Sequence, residues 1–318
     1  MSKLERAVDL VLKKCMGLKP KEKLLIVIDK RKRGIGKIFL KKGKKTTPNV
    51  KLLEIPVGNV NGEEPPKKAA KEMLNYDVEL LITTKSLTHT KARRNASETG
   101  ARIATLPGIT ESMMTRAINV DYKRICKLSR KIASIMDNGK IIKLTTKKGT
   151  DIILEIKGRK AHGRSGGILT KKGKFGNLPS GEAFIAPIEN KTNGIYIVDA
   201  SLGGIGKVDK PVKVLVKNGY AVKITGKKSA KELNKLLNTA GKKARIVAEL
   251  GIGTNYKAKI TGNLLEDEKV IGTCHLALGD NTGFGGKNQV PLHIDGVIKK
   301  PTIFIDNKKV MDNGKLLI

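Results

Sequence analysis

The period of the apolar positions changes along the chain, and that change divides it. Leu4, Val8, Val11, Leu12 and Cys15 recur at helical spacing and predict an N-terminal amphipathic helix that Pro20 stops. Leu24-Leu-Ile-Val-Ile28 is then an unbroken apolar run of the kind a parallel strand buried on both faces shows, and 50–55, 78–83 and 101–106 repeat it. Helical patterns over 34–40, 66–74 and 91–99 fall between these runs, so the first hundred residues read as successive βα units around a parallel sheet. The arrangement is Rossmann-like by pattern alone. No G-x-G-x-x-G follows the first strand, and Gly34-Ile-Gly36-Lys37 lacks the spacing of a phosphate-binding loop, so a nucleotide fingerprint is absent.

A helix is predicted over 122–136, and from Ile141 strands take over. Short β-prone runs at 141–145, 151–156, 195–198, 212–216, 221–225 and 303–305 alternate with turns rich in Gly, Asn and Lys, and Asn218-Gly219 is a hairpin signal. One helix interrupts at 229–238, with Ser229 as its expected cap and Leu233, Leu236 and Leu237 as its buried face. The expectation is an α/β chain: a parallel-sheet α/β domain over 1–120 and a β-rich, α+β, metal-binding domain over 121–318.

Charge changes this picture less than its size suggests. The chain has 64 Lys+Arg against 29 Asp+Glu, a formal net charge of +35, spread over runs such as Lys30-Arg-Lys-Arg33 and Lys41-Lys-Gly-Lys-Lys45. These read as solvated faces, with nucleic acid at most a nonspecific partner, because no Trp, 5 Phe and 5 Tyr leave little for base stacking. From Ile246 onward, by contrast, 9 basic residues meet 8 acidic ones. No apolar stretch approaches the roughly 20 residues of a membrane span. Three scattered cysteines, Cys15, Cys126 and Cys274, suit a reducing compartment, so a cytoplasmic location away from membranes is expected.

The near-neutral region is where chemistry gathers. Asn177-Leu-Pro-Ser-Gly-Glu182, Ala248-Glu249-Leu-Gly-Ile-Gly-Thr-Asn255, Gly272-Thr-Cys-His275 and Leu292-His293-Ile-Asp295 each set a carboxylate or imidazole among small and apolar residues. Carboxylate oxygen and imidazole nitrogen together suit a divalent cation. In a strand, residues i and i+2 share a face, so His293 and Asp295 can approach one ion; a simple His–Asp hydrogen bond is the plain alternative. Glutamate in an apolar segment is rarely present unless paired or ligating, which adds Glu182 and Glu249 to the set. His89 and His162 lack acidic neighbours and read as surface or loop residues, and Glu266-Asp-Glu268 as a solvated turn. Cys274 reads as core, and Asp280 and Asn281 as supports for the site.

At these motifs the chain resembles the thermophilic metallo-aminopeptidase family of the aminopeptidase T and S type. The resemblance implies a two-domain homodimeric enzyme that cleaves N-terminal residues from a peptide substrate with a pair of divalent ions, Zn, Co or Mn. Glu182, Glu249, His275, His293 and Asp295 would be the ligands, and Glu249 would bridge the ions and act in catalysis. Thr282 stands where that family has a tyrosine. A relative of the same fold, the 2,5-dihydroxypyridine dioxygenase type, gives the second reading: His275, His293 and Asp295 as a facial triad for one Fe(II) ion, with Glu182 and Glu249 outside it. A non-enzymatic basic protein that binds nucleic acid is the third.

Overall fold

A computed structural model describes all of residues 1–318, which divide into two compact units. The first comprises Met1–Lys123 and Gly167–Ser180. Its sheet has five parallel strands in the order Val50–Ile55, Leu24–Asp29, Val78–Ile82, Arg102–Thr105 and Phe175–Asn177. Leu24–Asp29 is buried at all six positions because helices cover both its faces. Leu25 and Val27 pack with Ala69, Met73, Ala92 and Ala96 from helices Lys67–Glu72 and Lys91–Glu98 and the turn between them. On the other face, helix Arg33–Gly43 lies so close that a Cβ on Gly36 would come within 2.7 Å of the Ile28 side chain. The N-terminal helix Lys3–Leu10 opens with a capping box formed by Ser2 and Glu5.

The second unit comprises Arg124–Gly166 and Gly181–Ile318, and holds most of helix Tyr122–Asn138. An eight-stranded antiparallel sheet runs in the order Tyr220–Thr225, Val212–Lys217, Asn193–Val198, Asp151–Glu155, Ile141–Thr145, Thr302–Ile305, Lys308–Asp312 and Lys315–Leu316. A six-stranded antiparallel sheet runs Gly206–Lys207, Ser201–Leu202, His293–Lys299, Thr273–Gly279, Val247–Gly253 and Glu182–Ile185. One apolar core draws on both, joining Ile142, Leu144, Ile152 and Val214 to Leu250, Ile252, Leu276 and Ile298. The chain is thus mixed α/β, with one parallel sheet and two large antiparallel ones.

Asn218 and Gly219 both take positive φ, 47° and 77°, and close the hairpin between Val212–Lys217 and Tyr220–Thr225. Helix Lys228–Ala240 is capped differently from expectation. Ser229 lies inside its first turn, and the carboxylate of Asp209 accepts the N–H groups of Lys228 and Ser229 as well as the Ser229 hydroxyl. Leu233 and Leu237 are buried as expected, whereas Leu236 faces outward. No helix is long and apolar enough to cross a membrane.

Candidate functional site

The six-stranded sheet has one apolar and one chemical face, and strand alternation separates them. Leu250, Ile252, Cys274, Leu276, Leu278, Ile294 and Ile298 point into the core. The intervening positions carry Glu249, Gly251, Gly253, His275, Ala277, Gly279, His293 and Asp295. Register aligns them: Glu249 and Asp295 both pair with Ala277, His275 pairs with Gly251, His293 with Gly279, and Glu182 with Gly253. All five candidate residues therefore share a face, on a floor of small side chains. A bulge between Val247 and Glu249 supplies the register shift that brings Glu249 opposite Ala277. The room at Gly251 is essential, since a Cβ there would lie 2.0 Å from His275 Nε2.

The structure brings all five together. His275 Nε2 lies 3.2 Å from Glu249 Oε1 and 3.7 Å from Glu182 Oε2. His293 Nε2 lies 3.3 Å from both Glu249 Oε2 and Asp295 Oδ1. Glu249 thus joins two groups whose donor atoms lie within 4.8 Å of one another: Glu182, Glu249 and His275, and Glu249, His293 and Asp295. His293 donates from Nδ1 to the backbone carbonyl of Asp280 at 2.7 Å, which turns Nε2 towards the carboxylates. His275 is fully buried, and its Nδ1 has no hydrogen-bond partner.

Two residues at the site were not expected. Lys269 is buried, with Nζ 2.5 Å from Glu182 Oε1 and also paired with Glu268. Glu266-Asp-Glu268 is not the solvated turn that its charge suggests. All three side chains are buried, because Glu266 accepts the Lys259 N–H, Asp267 accepts those of Thr261 and Gly262, and Glu268 holds Lys269. Hydrogen bonding to internal donors is what makes a buried carboxylate tolerable.

Four carboxylates, Glu182, Glu249, Glu268 and Asp295, face one ammonium and two imidazoles, and this excess of negative charge dominates the electrostatics. Burial alone would lower the His275 pKa, but the Glu249 hydrogen bond and the charges of Asp295, Glu249 and Glu182 raise it to about 9. His293 is raised in the same way, against its burial, chiefly by Asp295. Burial pushes Glu268 up to about 7 despite Lys269. A cage that attracts positive charge this strongly, built of imidazole nitrogen and carboxylate oxygen, fits a divalent metal ion.

An aromatic border runs beside the donors. Phe184, opposite Gly251, stacks on His162 with ring centroids 5.5 Å apart, and Phe284 meets Phe184 edge-on at 5.5 Å and His293 at 5.9 Å. His162 is therefore not a bare surface residue: it is half-buried, bridges Phe184 in β fashion, and its pKa is lowered by burial. His89 is exposed in the turn before helix Lys91–Glu98. Phe284 is set by a loop in which Glu189 accepts from Asn281 Nδ2 and the Lys287 N–H and pairs with Arg159, while Asn288 donates to the Gly279 and Lys243 carbonyls. Cys274 lies in the core, as expected. Asp280 and Asn281 support the site through the His293 contact and the Glu189 contact.

Comparison with known proteins separates the readings. The family model for 2,5-dihydroxypyridine 5,6-dioxygenase (NicX) matches residues 43–318. The 2,5-dihydroxypyridine 5,6-dioxygenase of Pseudomonas putida KT2440 is 22% identical over 257 residues, covering 75% of this chain and 71% of that protein. The structure of the 2,5-dihydroxypyridine dioxygenase from the same organism superposes with a TM-score of 0.85 at 17% identity, covering 100% of this chain and 98% of that one. Wild-type AmpT from Thermus thermophilus superposes with a TM-score of 0.71 at 16% identity, covering 99% of each chain. The aminopeptidase expectation is overturned by the family match, and with it the assignment as a hydrolase, protease or metalloprotease. Its physical origin is plain: the fold is common to AmpT and the dioxygenase, so an order of carboxylates and imidazoles along that fold cannot tell them apart. The dioxygenase family implies a divalent metal, and the two donor groups suit one. The chain belongs to the 2,5-dihydroxypyridine 5,6-dioxygenase (NicX) family.

Proposed function

We propose that this protein is an iron(II)-dependent dioxygenase that opens a dihydroxylated pyridine ring, with His275, His293 and Asp295 holding one ion. When bound, the ferrous ion supplies the redox chemistry that lets dioxygen react with an electron-rich ring. Beyond the family, the observation that carries this reading is the aromatic border. In a chain with only 5 Phe, two of them, Phe184 and Phe284, stand beside the donor set. Their faces and edges suit a flat ring, at about 0.5–1.5 kcal/mol for each aromatic contact.

The chain's own residues then have distinct tasks. Phe184 and Phe284 orient the ring and exclude water from one side of it. His162, neutral at pH 7 because burial lowers its pKa, bonds the Phe284 backbone through one ring nitrogen. The other nitrogen is the acceptor for a ring hydroxyl proton. Glu249 faces both imidazoles and keeps their Nε2 atoms turned to the centre.

The test is oxygen uptake by anaerobically purified, Fe(II)-loaded protein given 2,5-dihydroxypyridine. One O2 consumed per ring, with loss of the ring's ultraviolet absorbance and abolition of both in His293→Ala, is the expected result. Protein that holds Fe(II) and consumes no oxygen with this substrate or with other dihydroxypyridines would overturn the reading.

A further inference from the structure

The donor atoms form two groups joined through Glu249, an arrangement that by itself suits two cations. One carboxylate of the first group, Glu182, already holds a cation. Lys269 Nζ lies 2.5 Å from Glu182 Oε1 and pairs with Glu268, and its side chain is only 3% exposed. We propose that the Lys269 ammonium is a resident cation that withholds Glu182 from metal and fixes the metal count at one ion per chain. This rests on the iron reading above, and extends it by naming what excludes a second ion.

Three features support a fixed rather than a passing charge. The Lys269 carbonyl accepts the Asn255 N–H at 2.8 Å, and the Asn255 carbonyl accepts the Ile271 N–H at 3.1 Å, so the backbone is tied on both sides of the lysine. Gly253 lets this segment lie against the strand end, since a Cβ there would come within 2.0 Å of the Val270 carbonyl oxygen. The ammonium is almost wholly withdrawn from water, and it has two carboxylates to hold it. A dication among Glu182, Glu249 and His275 would have to share Glu182 with this ammonium, and like charges at that range repel. The proposed iron ligands His275, His293 and Asp295 pair with no ammonium.

The measurement is metal content per folded chain after saturation with Mn(II), an air-stable stand-in for Fe(II), read with the electron paramagnetic resonance spectrum that distinguishes a lone Mn(II) from a coupled pair. Wild-type protein is expected to hold one uncoupled ion. Lys269→Met is expected to hold two, with a coupled signal. Should that variant not fold, the double variant Lys269→Met with Glu268→Gln removes the ammonium together with one of its carboxylates, and the same second ion is expected. Two ions in wild-type protein, or one ion in folded variants lacking the lysine, would overturn the proposal. A wild-type protein that takes up neither Mn(II) nor Fe(II) removes the iron reading itself and the proposal with it, an outcome distinct from either of those.

Discussion

Gly251 bears on function through what it lacks. Its φ lies outside the left-handed region, so alanine would be tolerated by the backbone, yet the new methyl would lie 2.0 Å from His275 Nε2 in a place where the ring is fully buried and cannot step aside. Gly251→Ala is therefore expected to leave the circular dichroism spectrum intact and to weaken metal binding by at least about tenfold, the scale on which misplaced ligands act. Unchanged affinity would mean that His275 is not a ligand. Glu79 makes a different prediction. It is fully buried in a central strand, neither of its oxygens has a partner, and burial raises its pKa well above 4.5. The folded chain keeps this proton to higher pH than the unfolded chain does, so the contribution is harmless below pH 4.5 and increasingly costly above it, by up to about 1.4 kcal/mol per pH unit until the folded pKa is passed. Glu79→Leu is expected to be more stable than wild type at pH 8, with the difference shrinking towards pH 5. Parallel pH profiles from urea unfolding would contradict this. The five candidate donors were legible because a carboxylate or imidazole in an apolar run is conspicuous. Lys269 and Glu268 were not, since in so basic a chain one more Glu-Lys pair looks like surface, and only the tertiary fold buries it.

Elements were legible where their period is long enough to register. The buried parallel strands and the alternating strands of the second unit follow from runs of four to six residues, whereas Phe175–Asn177, three residues long and joined to the first sheet from a distant segment, carries no local signal. The loop between Thr273–Gly279 and His293–Lys299 is equally opaque in sequence, because its shape depends on Glu189, roughly a hundred residues away. Glu189 accepts from Asn281 Nδ2 at 3.0 Å and from the Lys287 N–H at 2.7 Å, and pairs with Arg159. That clamp sets Phe284 but touches none of the metal donors. Glu189→Ala leaves the Asn281 amide without its acceptor and the Arg159 guanidinium with the Gly285 carbonyl alone, and is expected to raise KM for the proposed aromatic substrate several-fold while metal affinity stays within about twofold, by the logic that a lost binding contact acts on KM. Calorimetric metal titration beside steady-state kinetics separates the two effects. A matching loss of metal would mean that the loop holds His293 rather than the substrate.

At the scale of the whole molecule, the charge and the site are two sides of one distribution. Most carboxylates of the near-neutral last quarter, Glu249, Glu266, Asp267, Glu268 and Asp295, are internal, held within the candidate site or by backbone N–H groups, while most lysines elsewhere face water. The result is a formal charge of +35 carried largely on the surface around an acidic interior. Repulsion among like surface charges is stronger in the compact state than in the unfolded chain, so it opposes folding, and salt screens it over about 10 Å at 0.1 M. The exposed ion pairs, such as Arg33 with Glu54 and Lys51 with Glu72, pull the other way, since salt weakens them, but each contributes at most about 1 kcal/mol. With 35 more cationic than anionic groups, repulsion outweighs pairing, and Tm is expected to rise between 0.02 and about 0.3 M sodium chloride, levelling off once the screening length falls below the spacing of neighbouring lysines. A Tm that falls with salt would show that the pairs dominate and that the surplus lysines lie far enough apart not to interact. The same screening should release the protein from DNA cellulose at modest salt, whereas retention selective for one sequence or structure would point to a shaped site and not to charge alone.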